Sequence, residues 1–292
     1  MPRHHYVPQF VLECWADNGQ LQAFSWNAGA KRVLNQSVAV RKACQVDNLN
    51  AVYGASRPER NIVEDTLTQE IDSPASTILV EILSKGVEHL SDDQRWVWAR
   101  FLLAFAVRTP ETLREMGPAE TRNGFASAAR MASTREEREF MDNFFAQQMP
   151  ALERNVPLNI ALDLTADSDH IASIMAMDWW IRRFDSPKVL LGDRPLLSRP
   201  RSGYPCGIPL DCPSCMISLP ISPKVLFCAS PDRRIRAQQR IMQSSRILRL
   251  VNDETIACAV EYVYSAYPAM ADMIVKGLTP QKYAEASNDL SW

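Results

Sequence analysis

The 292-residue chain lacks several features that would assign it to a broad class of protein. Its apolar runs fall short of the ~20 residues that a membrane-spanning helix needs, and residues 1–12 lack the basic-then-apolar order of a signal peptide. The formal net charge is only −2, so no global field attracts nucleic acid or an anionic membrane. We therefore expect a cytoplasmic protein without a membrane segment.

Glycine and paired cysteine are also scarce. The chain has 10 glycines, which disfavours nucleotide-binding folds that depend on glycine-rich loops. Its 7 cysteines are an odd number, and most have apolar neighbours, as reduced and buried thiols do. Cys206, Cys212 and Cys215 lie in PCGIPLDCPSC, whose CxxC is half of a zinc site. Because no second CxxC accompanies it, a loop with free thiols is favoured over structural zinc.

What is present is enough apolar sequence for a sizeable core, since 46% of the residues are hydrophobic. This length allows one large domain or two closely packed ones. No internal repeat or flexible linker divides the chain. We therefore predict a single domain over residues 1–292, with residues 266–292 as a C-terminal tail.

One helix stands out as the predicted structural centre. Ser91 is a good N-cap, and two aspartates follow it at the positive end of the helix dipole. From Trp96 to Val107 every residue except Arg100 is apolar. A helix that is apolar on all sides is buried. The sequence thus predicts a buried central helix over residues 91–108.

The remaining pattern predicts a mostly helical α+β fold. Alternating residues and a turn signal indicate a β-hairpin over 20–40. Residues 188–192 and 216–229 read as short strands that complete a small sheet. Other expectations concern the connecting segments: a loop with a short strand over 150–165, one helix over 167–184, an arginine-rich helix over 233–250 and an apolar helix over 252–264.

The first residues, from Arg3 to Phe10, include two of the 4 histidines, side by side. Adjacent residues of an extended chain point to opposite sides, so at most one of His4 and His5 faces a given site. We expect Tyr6, Val7 and Phe10 to be buried anchors. The alternative is that both histidines only tie the terminus to backbone groups.

These residues also carry a family resemblance. Further matching motifs follow in the same order along residues 3–265: Glu64, Glu70-Ile71-Asp72-Ser73, Arg108-Thr109-Pro110, Trp179 or Trp180, Gly192-Asp193-Arg194-Pro195 and Leu219-Pro220-Ile221-Ser222-Pro223. Together with the opening HHYVPQF, they resemble the domain of unknown function 4238 family, whose members are mainly bacterial. Gly192 and Arg194 stand where that family has serine and asparagine. The resemblance implies no established activity.

Arg108 follows twelve almost entirely apolar residues, and Arg100 lies two turns earlier. Burying an unpaired guanidinium costs several kcal/mol, so each arginine should meet a carboxylate or reach a cleft. We predict that Arg108 pairs with Glu64 or Glu70. The pair is either purely structural or part of a clamp for phosphate or carboxylate, which the planar guanidinium suits.

The candidate catalytic residues are His4, His5, Glu64, Glu70, Arg108 and Asp193. A histidine would be the general acid/base, a glutamate would orient it or hold a metal, and Arg108 would stabilise negative charge. Asp193 follows a predicted buried strand, where it either serves the site or closes a turn. No HxH or HExxH spacing supports a metal site, although a divalent metal fits these residue types.

The best interpretation is a hydrolase-like enzyme that acts on a small anionic or phosphodiester ligand, with a metal-dependent phosphodiesterase or nuclease as its specific form. The alternative is a non-catalytic ligand-binding or protein-interaction module, associated with prophage or defence, in which these residues are structural. The arginines between 233 and 249 form either a nucleic-acid patch or a solvated face, and the charge balance of the chain favours the solvated face.

Overall fold

The computed structural model describes residues 3–56, 59–199, 210 and 212–278. Its helices are α1 (Gln9–Leu12), α2 (Ile62–Thr66), α3 (Ser73–Lys85), α4 (Asp92–Val107), α5 (Pro110–Met131), α6 (Arg135–Ala166), α7 (Ser168–Met175), α8 (Arg233–Ile241), α9 (Ser244–Cys258) and α10 (Ala271–Gly277). Its strands are β1 (Arg3–His5), β2 (Gln20–Asn27), β3 (Arg32–Ala39), β4 (Gln45–Asp47), β5 (Asp178–Arg183), β6 (Leu191–Gly192), β7 (Leu197–Arg199), β8 (Met216–Ser222), β9 (Val225–Ser230) and β10 (Val263–Ser265). The mostly helical α+β class is confirmed.

The central helix α4 forms as predicted. Ser91 accepts a hydrogen bond from the backbone of Gln94, whose side chain in turn caps the backbone of Ser91. Most of α4 is buried. Trp98 packs edge-on against Phe227 of β9, while Phe101 lies 5.5 Å from Phe10 in the N-terminal segment, measured between ring centroids. The helix therefore packs between strand β9 on one side and the N-terminal segment on the other.

The strands divide among separate sheets. The predicted hairpin forms from β2 and β3, and it continues through β10 to β6 in the order β3-β2-β10-β6. The strands predicted over 216–229 belong to another sheet, in the order β5-β9-β8-β7. At the terminus, β1 pairs antiparallel with β4 and places His4 opposite Val46. This short ladder fixes which way each histidine points.

Two of the predicted segments have different structures. Residues 150–165 lie within the helix α6, which contains Pro150 and Pro157. Local propensity is overridden there because α6 packs along α5 and α4. The helix predicted over 167–184 ends with α7, and β5 follows it. Trp179 packs toward α4 and Trp180 toward α8 and α9, so adjacent large residues fill both faces of a buried strand.

The apolar helix predicted over 252–264 is also wrong in its bounds. Asn252, expected to cap it, lies inside α9 and is fully buried. Its side chain accepts from the backbone N–H of Leu190 at 3.0 Å and donates to the carbonyl of Lys188 at 2.8 Å. The residue therefore ties the entry to β6 onto α9, which no local pattern would show.

The α5–α6 pairing offers a direct test of this packing. A Cβ on Gly117 would overlap the backbone carbonyl of Glu153 on α6, whereas a Cβ on Gly124 of the same helix would meet nothing within 4 Å. We expect Gly117→Ala to lower the free energy of unfolding by about 1–3 kcal/mol, because the two helices must separate. The matched Gly124→Ala should raise it by up to about 1 kcal/mol through helix propensity. Urea unfolding measures both, and equal effects would contradict the close approach.

Candidate functional site

A cleft of ≈ 500 Å³ lies between the N-terminal segment and the helical stretch that begins at α2. Its lining combines charged, hydroxyl and apolar side chains: Arg3, His5, Pro8, Gln9, Phe10, Glu13, Glu64, Leu67, Thr68, Asp72, Ser73, Ser76 and Arg108. The cleft therefore brings together three of the predicted site residues, namely His5, Glu64 and Arg108. They come from β1, α2 and the end of α4.

The two histidines face different sides, as the extended geometry of β1 predicts. His5 lines the cleft, and its Nε2 has no hydrogen-bond partner among the described residues. His4 is only 2% exposed, and its Nδ1 accepts the backbone N–H of Asn50 at 2.8 Å. The prediction that at most one of them faces the cleft is confirmed. Of the anchors, Tyr6 and Val7 are buried, and Phe10 is half-buried against the core.

His5 is held neutral by its surroundings. Burial lowers its pKa below the ordinary value, while a hydrogen bond to the backbone of Arg41 and the negative charge of Asp72 act in the opposite direction. A neutral imidazole with a free nitrogen can accept a proton. His5 therefore brings to the cleft an imidazole that can accept a proton.

Arg108 has a different partner from those predicted. Its Nη1 donates to both oxygens of Asp72, at 2.8 and 3.1 Å, so the prediction of a pair with Glu64 or Glu70 is wrong. The guanidinium is 2% exposed, and it lies 4.7 Å from the ring centroid of Phe105. Burial raises the pKa of Asp72, whereas the charge of Arg108 and its hydrogen bond lower it. The pair is a partly buried ion pair at the wall of the cleft.

Arg108 meets Asp72 because the helical stretch from α2 to α3 is not a regular α-helix. Between α2 and α3, Leu67–Asp72 forms a π-helical segment with a wider turn. Glu64, Thr68 and Asp72 all line the cleft, although strict α-helical geometry would rotate the last of them about 80° from the first. The π-helical segment therefore brings Asp72 to the cleft, as such segments often do at functional sites.

Glu64 is another carboxyl group that lines the cleft. Its Oε2 accepts a hydrogen bond from the side-chain amide of Asn50 at 2.7 Å. Burial raises its pKa, and the Asn50 hydrogen bond and the charge of Arg108 oppose this rise. Asn61 precedes α2 but makes no side-chain cap of this helix. Glu64 instead turns its carboxyl group toward Asn50 and the cleft.

Glu70 lies outside the cleft. Its carboxylate is 59% exposed and meets Nη2 of Arg100 at 3.3 Å. This ion pair confirms the expectation that Arg100 meets a carboxylate, and Arg100 also donates to the backbone carbonyl of Thr165. The expectation that Glu70 shares a site with His5 is wrong, because the π-helical segment turns Asp72 inward instead.

Asp193 also lies away from the cleft, and its carboxylate is engaged by backbone. It accepts the N–H groups of Val260, Glu261 and Tyr262, at 2.7, 2.5 and 2.9 Å respectively. The side chain is buried, and burial raises its pKa against these three hydrogen bonds. The placement of Asp193 in the His5 site is thus wrong. It organises the turn that leads into β10.

We expect Asp193→Asn to lower the free energy of unfolding by about 2 kcal/mol. The amide keeps one acceptor oxygen but brings two donors toward backbone N–H groups, and an unmatched buried donor costs about 1–3 kcal/mol. Chemical unfolding measures the loss. The control is Asp272→Asn, which makes the same change of charge on α10, away from both the cleft and Asp193. Equal stability of the two variants would contradict this structural role.

Sequence reasoning missed Asp72 and Asn50. Asp72 was available in Glu70-Ile71-Asp72-Ser73, but only the π-helical segment distinguishes it from Glu70. Asn50 lies in an irregular stretch, yet it is 1% exposed. A polar residue that is buried in a loop must be hydrogen-bonded, but no sequence pattern predicts which loop residue is buried in this way.

The remaining hypotheses from the sequence concern a metal site, the arginines between 233 and 249, and a membrane segment. In the part of the chain that the structure describes, no three His, Cys, Asp or Glu side chains are grouped so as to hold a metal ion. Cys206 lies outside the described residues, and Cys215 is buried. Several of the arginines from 233 to 249 form ion pairs, among them Arg234 with Asp232 and Arg236 with Asp178. None of the described helices has the length and apolarity to cross a membrane.

Comparison with known proteins supports the resemblance that the sequence motifs suggested. Residues 3–268 match a family described as "Protein of unknown function (DUF4238)". No curated protein and no solved structure gives a significant match. The matched range contains His5, Glu64, Asp72 and Arg108, so the whole cleft lies within it. Because the match covers most of the chain, the protein belongs to the DUF4238 family of proteins of unknown function.

Proposed function

We propose that the cleft is the active site of a hydrolase-like enzyme that acts on a phosphodiester. The observation that carries the proposal is the convergence of His5, Glu64 and the Arg108–Asp72 pair on one cleft. Three chain segments far apart in sequence supply a base, an acid and a cation there. This is the set of groups that acid–base hydrolysis of a phosphate ester uses.

His5 would be the general base. Its lowered pKa keeps the ring neutral at pH 7, and Nε2 has no partner among the described residues. Glu64 would be the general acid. Burial raises the pKa of this carboxyl group from its ordinary value, which is the direction that general-acid catalysis requires.

Arg108 would stabilise the negative charge of the phosphoryl group. Asp72 holds Nη1, while Nε and Nη2 are buried without a hydrogen-bond partner among the described residues. Two adjacent N–H groups of a guanidinium match two oxygens of a phosphate. Asp72 thus orients the arginine, and the remaining edge is the part of the fork that serves the ligand.

A second candidate is a non-catalytic ligand-binding or interaction module. The observation in its favour is the burial of Arg108, which is 2% exposed and bound to Asp72 by two hydrogen bonds. In this alternative the ion pair braces the helical stretch against α4, and the cleft holds a small anion without reaction. Single-domain organisation and cytoplasmic location remain predictions of the sequence.

The proposal is tested by incubating the purified protein with bis-p-nitrophenyl phosphate and with single- and double-stranded DNA and RNA. Each reaction is run in EDTA, Mg²⁺ and Mn²⁺, so that metal dependence is measured directly. We expect cleavage of at least one substrate by the wild type and its loss in His5→Ala. Cleavage that persists in His5→Ala would refute the assigned base. Anion binding without cleavage in any reaction would favour the non-catalytic module.

A further inference from the structure

His4 faces away from the cleft, yet it is connected to the cleft through Asn50. The backbone N–H of Asn50 donates to Nδ1 of His4 at 2.8 Å, and the side chain of Asn50 donates to Oε2 of Glu64 at 2.7 Å. Nδ1 of His4 lies 3.9 Å from the same carboxylate oxygen. One buried asparagine therefore contacts the second histidine with its backbone and the acidic group of the cleft with its side chain.

We propose that Asn50 is a positioning residue of the cleft, whose carboxamide holds the Glu64 carboxyl group by Oε2 while His4 fixes Asn50 through its backbone N–H. This inference rests on the proposed function, since it assigns a role toward Glu64 in that site. It also explains the adjacent histidines. In β1, His5 faces the cleft, and His4 faces the loop that contains Asn50.

The hydrogen-bond directions are set by chemistry. Nδ1 of His4 accepts an N–H, so the proton of the neutral ring lies on Nε2. Burial lowers the pKa of His4, and the charge of Arg60 lowers it further, which favours the neutral ring that this hydrogen bond requires. Oε2 of Glu64 accepts this hydrogen bond, so the NH₂ group of Asn50 must point toward it. Both contacts therefore constrain Asn50 to one orientation.

The Glu64 side chain is 23% exposed, so part of it is removed from water. Its donor Asn50 is 1% exposed, and a carboxyl oxygen that faces the interior without a hydrogen bond is costly. The other charged groups that act on Glu64 are Arg108, which lowers its pKa, and Asp72 and Asp65, which raise it. With Oε2 held by Asn50, Oε1 is the oxygen left for a ligand.

The test is a titration of the Glu64 carboxyl carbon by NMR in protein labelled with ¹³C-glutamate, with the signal assigned from Glu64→Gln. Asn50→Asp keeps the backbone N–H for His4 and the shape of the side chain, but it replaces the donor by a second carboxylate. We expect the pKa of Glu64 to rise by about one unit or more. The control is Asn143→Asp, the same change at an exposed position of α6, which should leave that pKa unchanged.

An unchanged pKa of Glu64 in folded Asn50→Asp would overturn the positioning role. If the aspartate variant does not fold, the same titration of Asn50→Ser decides in the same way. A second pair of variants tests His4: His4→Asn retains an acceptor near Nδ1 and should preserve the pKa of Glu64, whereas His4→Ala should shift it. Because the titration needs no substrate, its failure is distinct from a failure to find cleavage.

Discussion

Replacement of His5 by alanine is expected to reduce phosphodiester cleavage by about 10²–10⁴-fold, the usual contribution of a general acid or base. The expectation follows from the position of His5 in the cleft and from its unpartnered Nε2. Initial rates of the wild type and the variant, on the substrate identified by the cleavage screen, measure the loss. Because the substitution removes no ion pair, we expect only a small change in the free energy of unfolding.

The matched control is His89→Ala, because His89 is exposed and does not line the cleft. Its rate should equal that of the wild type. The pH profile supplies a second readout: His5 acts as a base only when neutral, and its pKa lies below the ordinary 6.5. Activity should therefore fall as the pH drops through that lowered pKa, and it should also fall as the pH rises through the raised pKa of Glu64, because the general acid acts only when protonated. A rate that is unchanged by His5→Ala would contradict the assignment.

Arg108→Met is expected to lower the free energy of unfolding by about 3–5 kcal/mol. The substitution retains most of the apolar volume beside Phe105 but leaves the Asp72 carboxylate without its cation. Removal of one partner of a buried pair is costly because the other charge remains buried. The Asp72 side chain is 17% exposed, which places the expected loss toward the lower end of this range. Urea unfolding measures it.

Two further variants separate charge burial from general disruption. The double variant Arg108→Met with Asp72→Asn should recover part of the lost stability, because no unpaired charge remains. Arg135→Met breaks an exposed pair with Glu139, and it should cost less than about 1 kcal/mol. Equal losses in Arg108→Met and Arg135→Met would show that the buried pair does not brace the fold.

These two substitutions also distinguish the two candidate functions. In an enzyme, His5→Ala reduces the rate and leaves the fold intact, while Arg108→Met affects both. In a non-catalytic module, Arg108→Met still destabilises the protein, but no substrate is cleaved and His5→Ala alters only ligand affinity. The stability loss alone therefore favours neither, and the response to His5→Ala is the deciding result.

The elements predicted well were those specified by local pattern. The capping residues and apolar composition of α4 predict a buried helix, and the period-two alternation of β2 and β3 predicts the hairpin. The opposite orientation of His4 and His5 follows from strand geometry alone. Each of these features depends on residues within a few positions of one another, so the sequence contains the necessary information.

The errors arose where distant parts of the chain meet. α6 continues through Pro150 and Pro157 because it packs on α5 and α4. In β5, Trp179 and Trp180 are read correctly only when both faces of the strand are known to be buried. In both cases tertiary burial outweighed a local preference worth at most a few kcal/mol.

The sequence by itself determined the fold class, the central helix, the family resemblance and the presence of His5, Glu64 and Arg108 among the candidate residues. Only the tertiary structure decided that Arg108 pairs with Asp72, that Glu70 and Asp193 lie elsewhere, and that Asn50 supports Glu64. The physical reason is that burial, together with the rotation of each helix about its axis, determines which side chains come within contact distance. The π-helical segment sets that rotation for Asp72, and a buried loop sets the partner of Glu64.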